Sequence, residues 1–260
     1  MKLDGKVAVV TGGAMGNGLG IVKVFLKYGA DVVILDYSDE IFNVVEELDH
    51  PKLSGYRVDI RDKDVLFEIV EDIVSEKGKI DILVNNAGVC MLEKFVDMDD
   101  DLRDTHFDIN INGTWNVTKA VLPEMIKNKY GRVVNLSSVT GPLVADSGEV
   151  AYATTKAAIL GFTKSLAMEV VNDGITVNAI MPGYIMTPMV ENMAKVSCPE
   201  NPQSVVDGIA KGIPMGRLGT IEELGELAAF LASDESTYIT GQGIVIDGAS
   251  TLPETMTMGV

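Results

Sequence analysis

Tyr152 and Lys156 stand at positions i and i+4 of a stretch, Ala151–Val171, whose spacing predicts a long helix. Side chains four apart share one helix face, with Cβ atoms about 5–6 Å from each other. A free tyrosine, with a pKa of about 10, is a poor acid–base group near neutrality. An ammonium beside it favours the phenolate, and the cationic nicotinamide ring of an oxidised dinucleotide would add to that effect. Such a tyrosine takes a proton from an alcohol, or gives one to a ketone, as hydride moves. Ser137-Ser138 closes the apolar run Arg132–Leu136. A hydroxyl there can hydrogen-bond a carbonyl oxygen and hold it against Tyr152, although two serines also suit a plain turn.

Hydride chemistry of this kind needs a dinucleotide, and the front of the chain offers a cradle for one. Thr11-Gly12-Gly13-Ala14-Met15-Gly16-Asn17-Gly18-Leu19 places glycines at 12, 16 and 18, directly after an apolar run. Glycine lets a turn adopt positive φ and lets a pyrophosphate approach the backbone. The helix that follows presents unpaired N–H groups and a positive dipole end to that anion. Asp36 closes the next apolar run, eighteen residues beyond Gly18. A carboxylate there accepts hydrogen bonds from the adenosine ribose hydroxyls and repels the extra phosphate of NADP. No Arg or Lys lies among residues 12–20 or immediately after Asp36, so NAD(H) is expected over NADP(H). Asp36 as a helix cap is the alternative, though Ser38 is equally placed for that.

Positioning these groups requires a sheet. Short Val- and Ile-rich runs alternate with helical spacing along the whole chain. Strands are expected at Lys6–Val10, Asp31–Leu35, Gly55–Val58, Ile80–Val84, Arg132–Leu136, Thr176–Ile180 and Gly243–Ile246. Helices are expected at Leu19–Tyr28, Glu40–Leu48, Val65–Glu76, Asp101–Lys127, Ala151–Val171 and Ile221–Ala232. That alternation predicts an α/β fold, a Rossmann-type doubly wound parallel sheet with helices on both faces. With no linker, repeat or low-complexity segment, residues 1–260 are expected to form a single domain. Met186–Arg217 looks irregular, contains Pro188, Pro199, Pro202 and Pro214, and is long for a connection. Such connections are often lids, so a substrate lid is expected at about 186–217. Met181, Tyr184, Met186, Met189, Met193 and Met215 give it an apolar character suited to an irregular apolar ligand. The competing assignment is that these side chains are core.

Composition narrows the partners. Of 260 residues, 47 % are hydrophobic, enough for a large core. The apolar runs are far shorter than the roughly 18 residues of a membrane span. Met1-Lys2-Leu3-Asp4-Gly5-Lys6 leads straight into the first strand without an apolar leader, so a cytoplasmic location is expected. The 38 acidic and 21 basic residues give a formal charge of −17. That speaks against nucleic acid, whose phosphate backbone is bound through Lys and Arg, and against an acidic carrier protein as donor. Cys90 and Cys198 lack disulfide or C-x-x-C spacing and are taken as reduced structural thiols. His50 and His106 are far apart, and no metal site is expected.

Together these residues resemble the short-chain dehydrogenase/reductase family, in its one-domain subclass of about 250 residues. The resemblance runs over essentially the whole chain. Thr11–Gly18 is similar to the subclass's T-G-x-x-x-G-x-G, with Met15, Asn17 and Leu19 in and beside the cradle. Asp59-Ile60 is similar to its adenine-contacting pair, and Asn85-Asn86-Ala87-Gly88 to its N-N-A-G, which supports the sheet and lines the adenosine side. Asn110, in Ile109-Asn110-Ile111-Asn112-Gly113, stands where the family carries an active-site Asn. Ser138, Tyr152 and Lys156 match the catalytic Ser, Tyr and Lys. Pro182-Gly183-Tyr184-Ile185-Met186-Thr187 resembles the segment that holds the nicotinamide carboxamide, which assigns cofactor contacts to Pro182, Gly183, Ile185 and Thr187. Within the family, the loop Val139–Val150 and the tail Ala232–Thr255 resemble bacterial UcpA-type oxidoreductases.

The resemblance implies a seven-stranded sheet, a homotetramer built on the long helices and last strand, and a role for each site residue. Tyr152 would be the acid–base. Lys156 would bind the nicotinamide ribose and lower the pKa of Tyr152. Ser138 would polarise the substrate oxygen, and Asn110 would support a water linking Lys156 to solvent. Two features depart from the family pattern. Asn17 stands where Ile or Leu is usual. Ser138 and Tyr152 are fourteen positions apart, one more than usual, with Asp146 and Glu149 in the extra loop. The expected activity is NAD(H)-dependent interconversion of a secondary alcohol and a ketone, with a hydroxysteroid or similar apolar ring as the first substrate class. A 3-oxoacyl thioester reductase is the alternative, weakened by Asp36 and by the charge. A non-catalytic dinucleotide sensor is the other, weakened by the presence of Ser138, Tyr152 and Lys156 together.

Overall fold

A computed structural model describes residues 2–253 of the chain. The ends of the expected domain, at residue 1 and at 254–260, lie outside the described residues, as do the last two positions of the tail Ala232–Thr255. Seven strands form one sheet: β1 (Val7–Thr11), β2 (Asp31–Asp36), β3 (Leu53–Arg57), β4 (Ile82–Asn85), β5 (Gly131–Leu136), β6 (Ile175–Pro182) and β7 (Gly243–Ile246). They lie in the order β3-β2-β1-β4-β5-β6-β7, and every neighbouring pair is parallel. Helices are α1 (Gly16–Lys27), α2 (Glu40–Leu48), α3 (Lys63–Lys77), α4 (Asp100–His106), α5 (Thr114–Asn128), α6 (Val150–Val170), α7 (Pro188–Ser197), α8 (Pro202–Lys211) and α9 (Ile221–Leu231).

Strand periodicity divides the core between the two faces. Ala8 and Val10 of β1, with Val32 and Ile34 of β2, pack against Ile21, Phe25, Ile41 and Leu224 of α1, α2 and α9. Val7, Val9, Val33 and Leu35 point the other way, onto Leu66, Val117, Val121 and Val170 of α3, α5 and α6. Strands buried on both faces explain why their sequences read as continuous apolar runs. From β1 the chain winds outward through β2 and β3, then returns to the other side of β1 as β4. The carboxyl ends of β1 and β4 therefore flank a switch point, where open α/β sheets bind ligands.

Most element bounds shift from expectation by one to three residues, and three differences have a clear physical reason. β3 begins at Leu53 rather than Gly55, because buried Leu53 pairs with Val32 at the sheet edge. The stretch expected as one helix over Asp101–Lys127 is interrupted by a π-helical turn, Phe107–Gly113, between α4 and α5. The segment Met186–Arg217 is not irregular: it holds α7 and α8. Pro188 and Pro202 occupy the first turns of these helices, where the missing N–H has no partner to lose and φ is already helical. Val206, Ala194, Ile213 and Leu218 give the pair its own small core. Met181 is buried in β6 beside Gly243, so it belongs to the core rather than to this segment. Met189, Met193 and Met215 are exposed.

Candidate active site

Every sequence-assigned site residue lies at or near the carboxyl edge of the sheet. In the turn after β1, Gly12 and Gly16 adopt positive φ, 64° and 52°. A Cβ on Gly12 would stand 2.9 Å from the Ala87 Cα, and one on Gly18 would sit inside the Gly12 carbonyl. Thr11 and Asn86 lock the two turns together. The Thr11 hydroxyl accepts from the Asn86 and Ala87 N–H groups, both at 3.0 Å. The Asn86 amide donates to the Thr11 and Gly12 carbonyls. Met15 caps α1 without any side-chain hydrogen bond, and no acidic residue lies in the first turn. The positive end of α1 is left facing the turn, whereas α9 closes its own start with a Thr220–Glu223 capping box. The Asn17 Oδ1 is buried there without a hydrogen-bond partner. Glycines that admit no Cβ, an uncovered helix start and an orphaned polar atom together fit a bound dinucleotide. Gly18→Ala is expected to destabilise the fold by about 1–3 kcal/mol and to weaken NADH binding. Thermal unfolding and NADH fluorescence titration both test this; two unchanged values would mean that the turn has room.

Asp36 is not a helix cap. Its carboxylate accepts from the Ala14 N–H at 3.0 Å and the Ser38 N–H at 2.9 Å, which ties the end of β2 to the glycine turn. Asp39 precedes α2, and the Ser38 hydroxyl accepts from the Glu40 N–H. Sheet register sets Arg57 opposite Asp36. Its guanidinium pairs with Asp39 at 2.9 Å and donates to the Tyr37 carbonyl. This cation beside the expected ribose position escaped sequence reasoning, because only the β2–β3 pairing reveals it. Asp59 is held by Arg61, whose guanidinium keeps the Asp59 carboxyl below the ordinary range. Ile60 is buried against Gly113, and its carbonyl accepts from the Asn116 amide.

Across the crevice, Ser138, Tyr152 and Lys156 come together. A Cβ on Gly88 would lie 3.5 Å from the Lys156 Nζ and 3.1 Å from the Asn110 Oδ1, so the N-N-A-G turn joins the cradle to this cluster. The Lys156 ammonium donates to the Leu136 carbonyl at 2.8 Å and lies 5.6 Å from the Tyr152 ring centre. The two serines are not equivalent. Ser137 spends its proton on the Lys156 carbonyl at 2.7 Å. The Ser138 oxygen accepts from the Thr140 N–H, which leaves its own proton to give. Asn110 sits in the π-helical turn, a feature common at functional sites. Its amide accepts from the Val89 N–H and donates to the Val89 carbonyl and the Thr155 hydroxyl, at 2.8, 3.0 and 3.0 Å. Thr155 in turn donates to the Tyr152 carbonyl. Asn110 thus clamps the β4 turn to the start of α6.

Burial dominates the electrostatics. It pushes the Lys156 ammonium down to about 8. It pushes the Tyr152 hydroxyl up to about 12, with Ser138 pulling the other way and Cys90 and Glu149 adding to the rise. Where the sequence predicts that Lys156 lowers the Tyr152 value, burial is the leading influence in this structure and the net direction is upward. Cys90, taken from sequence as merely structural, lies in the same cluster. Burial and then Glu149 push its thiol up to about 11. Glu149 and Tyr184 are raised as well, each first by burial.

The nicotinamide-side residues hold together differently. The Pro182 carbonyl accepts from the Val139 N–H, and the Gly183 N–H donates to Ile246. Ile185 is buried and bridged to Gly219. Thr187 precedes α7 without capping it, and its side chain faces the Gly16 turn. Among the described residues no three His, Cys, Asp or Glu side chains gather as metal ligands, and no helix is long and apolar enough to cross a membrane.

Comparison with known proteins agrees with this architecture. A family model described as enoyl-(acyl carrier protein) reductase matches residues 12–251. The chain is 56 % identical over 262 residues to the oxidoreductase UcpA of Escherichia coli K12, covering all of this chain and 99 % of that protein. It is 40 % identical over 251 residues to the 3-oxoacyl-[acyl-carrier-protein] reductase FabG of Thermotoga maritima, covering 95 % of this chain and 98 % of that one. Among solved structures, the aldohexose dehydrogenase of Thermoplasma acidophilum superposes with a TM-score of 0.91 at 30 % identity, over 99 % of this chain and 98 % of the other.

Proposed function

The chain belongs to the short-chain dehydrogenase/reductase family, and we propose that it is an NAD(H)-dependent oxidoreductase acting between a secondary alcohol and its ketone. The observation that carries this reading is the convergence of Ser138, Tyr152 and Lys156 beside the glycine turn, linked through Gly88. Gly12, Met15, Gly16, Asn17, Gly18 and Leu19 would hold the pyrophosphate, and Asp36 the adenosine ribose. Asp59, Ile60, Asn86, Ala87 and Gly88 would line the adenosine side. Pro182, Gly183, Ile185 and Thr187 would take the carboxamide, and Lys156 the nicotinamide ribose. The bound dinucleotide supplies or accepts the hydride.

The protein's own groups handle the proton. Ser138 donates its hydroxyl hydrogen to the substrate oxygen. Tyr152, neutral near pH 7 at a pKa of about 12, gives its proton to that oxygen during reduction and takes one during oxidation. Lys156 keeps a cation against the phenol, and Asn110 fixes the α6 start that carries it. Exposed Tyr184, Met189, Met193 and Met215 support α7 and α8, residues 186–217, as a lid over an apolar substrate body such as a hydroxysteroid. Exposed Trp115 and Met168 on the long helices support a homotetramer. One domain in the cytoplasm completes the reading. The likeness to FabG favours a 3-oxoacyl thioester reductase as the second reading; Asp36 and the net charge of −17 weigh against it.

Oxidation of NADH and NADPH in parallel, against ketosteroids, sugar ketones, short ketones and acyl thioester mimics, tests the class. Asp36→Ala is expected to weaken NAD(H) and strengthen NADP(H), each about tenfold, since it removes a repelling charge and leaves Arg57 in place. A wild-type preference for NADPH would overturn the assignment of Asp36.

A further inference from the structure

Glu149 stands one turn before Tyr152, at the start of α6. It occupies the cap position but makes no capping hydrogen bond. Its carbonyl accepts from the Ala153 N–H at 2.7 Å, so the residue already follows helical spacing. Residues three apart then share a face, with Cβ atoms about 5–6 Å from each other. The preceding Gly148 is pinned, its carbonyl accepting from the Glu93 N–H at 3.0 Å, which ties the loop to the turn after β4. The carboxyl acts through space on Cys90, Tyr184 and the Tyr152 hydroxyl itself. Its Oε2 is buried and has no hydrogen-bond partner. Thr140 is the one side chain that favours the charged carboxyl, and it leaves Oε2 unpaired; an unpaired buried acceptor costs about 1–3 kcal/mol. An acceptor held in this way beside a proton-transferring hydroxyl matches a donor brought by a ligand.

We propose that Glu149 is a specificity-determining residue that accepts a hydrogen bond from a donor on the carbon next to the reacting one. The substrate is therefore a vicinal diol and its α-hydroxyketone, or the corresponding amino alcohol, rather than an isolated secondary alcohol. The placing of the two side chains three apart on one helix face sets the class. With the reacting oxygen at Tyr152, a donor two or three bonds away falls to Glu149. An apolar body can still lie under the methionine-bearing helices. This inference rests on the alcohol–ketone reading above and sharpens it.

The test uses cyclohexanol, trans-1,2-cyclohexanediol and trans-2-aminocyclohexanol. Binding of each to the NAD⁺-loaded Tyr152→Phe protein is followed by calorimetry, and turnover by the wild type. A site that hydrogen-bonds a substrate group rejects the analogue lacking it. The diol or the amino alcohol is expected to bind at least about tenfold tighter than cyclohexanol. Glu149→Ala should reduce that ratio to within about threefold of one while changing cyclohexanol binding little. Glu149→Gln separates the two donors: its amide oxygen retains part of a preference for hydroxyl and loses a preference for ammonium. Equal binding of all three rings, or a ratio untouched by Glu149→Ala, overturns the inference. Preferential binding without turnover of any ring would support Glu149 and count against the alcohol–ketone reading instead.

Discussion

Tyr152→Phe is expected to lower turnover by about 10²–10⁴-fold and to leave NADH binding within about threefold of wild type. The substitution removes one oxygen and keeps the ring that packs beside Lys156. No other group at the site can replace it near neutrality. Ser138 has an unassisted hydroxyl whose oxygen is spent on the Thr140 N–H. Cys90 is a thiol pushed up to about 11 and so lacks the thiolate needed to act as a base. Lys156 is pushed down to about 8, but its ammonium is buried and donates to the Leu136 carbonyl. The pKa of Tyr152 also sets the pH profile. A hydroxyl at about 12 keeps its proton through neutral pH, so ketone reduction is expected to stay level there. Alcohol oxidation needs the phenolate and should rise with pH. Rates in both directions, with NADH fluorescence titration of the variant, check the whole argument. A variant retaining more than a tenth of wild-type turnover would remove Tyr152 from the proton transfer.

What was legible in the sequence was local. The glycine cradle lies within nine residues between a strand and a helix, and Tyr152 and Lys156 lie within one turn, so their spacing carries their geometry. The sheet was equally readable, because strands buried on both faces keep unbroken apolar runs. What was not legible depends on neighbours distant in sequence. Arg57 meets Asp36 only through strand register. Cys90 joins the site only because the β4 turn packs over α6. Asn110 clamps that contact from a π-helical turn that no spacing in Ile109–Gly113 announces. The segment Met186–Arg217 misled for a different reason: proline disfavours the interior of a helix but suits its first turn, and two of the four prolines there begin helices. Adjacency of Tyr152 to an ammonium can be read from spacing, whereas the burial that dominates its pKa in this structure cannot.

Lys156→Met is expected to abolish catalysis and, at pH 7, to make the protein more stable. Lys156 is 7 % exposed, and burial lowers its pKa from 10.5 to about 8. The sign follows from where the proton is held more tightly. The unfolded chain keeps it up to about 10.5, the folded chain only to about 8. Below pH 8 both states are charged and the folded state bears the full desolvation cost, which that difference puts at about 3 kcal/mol. Between pH 8 and 10.5 the unfolded state binds more protons, so wild-type stability gains from this group as pH rises. Above 10.5 both states are neutral and the cost is gone. Methionine fills a similar volume without charge, but it gives up the hydrogen bond to the Leu136 carbonyl, worth about 1 kcal/mol. The net expectation is a gain of about 2 kcal/mol at pH 7, several degrees in Tm for a chain of this length, shrinking towards zero near pH 10. Thermal unfolding of both proteins at pH 7 and pH 10 tests the sign directly. A variant less stable at pH 7 would mean that Lys156 is held as a structural donor. A variant more stable and inactive would mean that the fold keeps a destabilising cation beside Tyr152 for function rather than for stability.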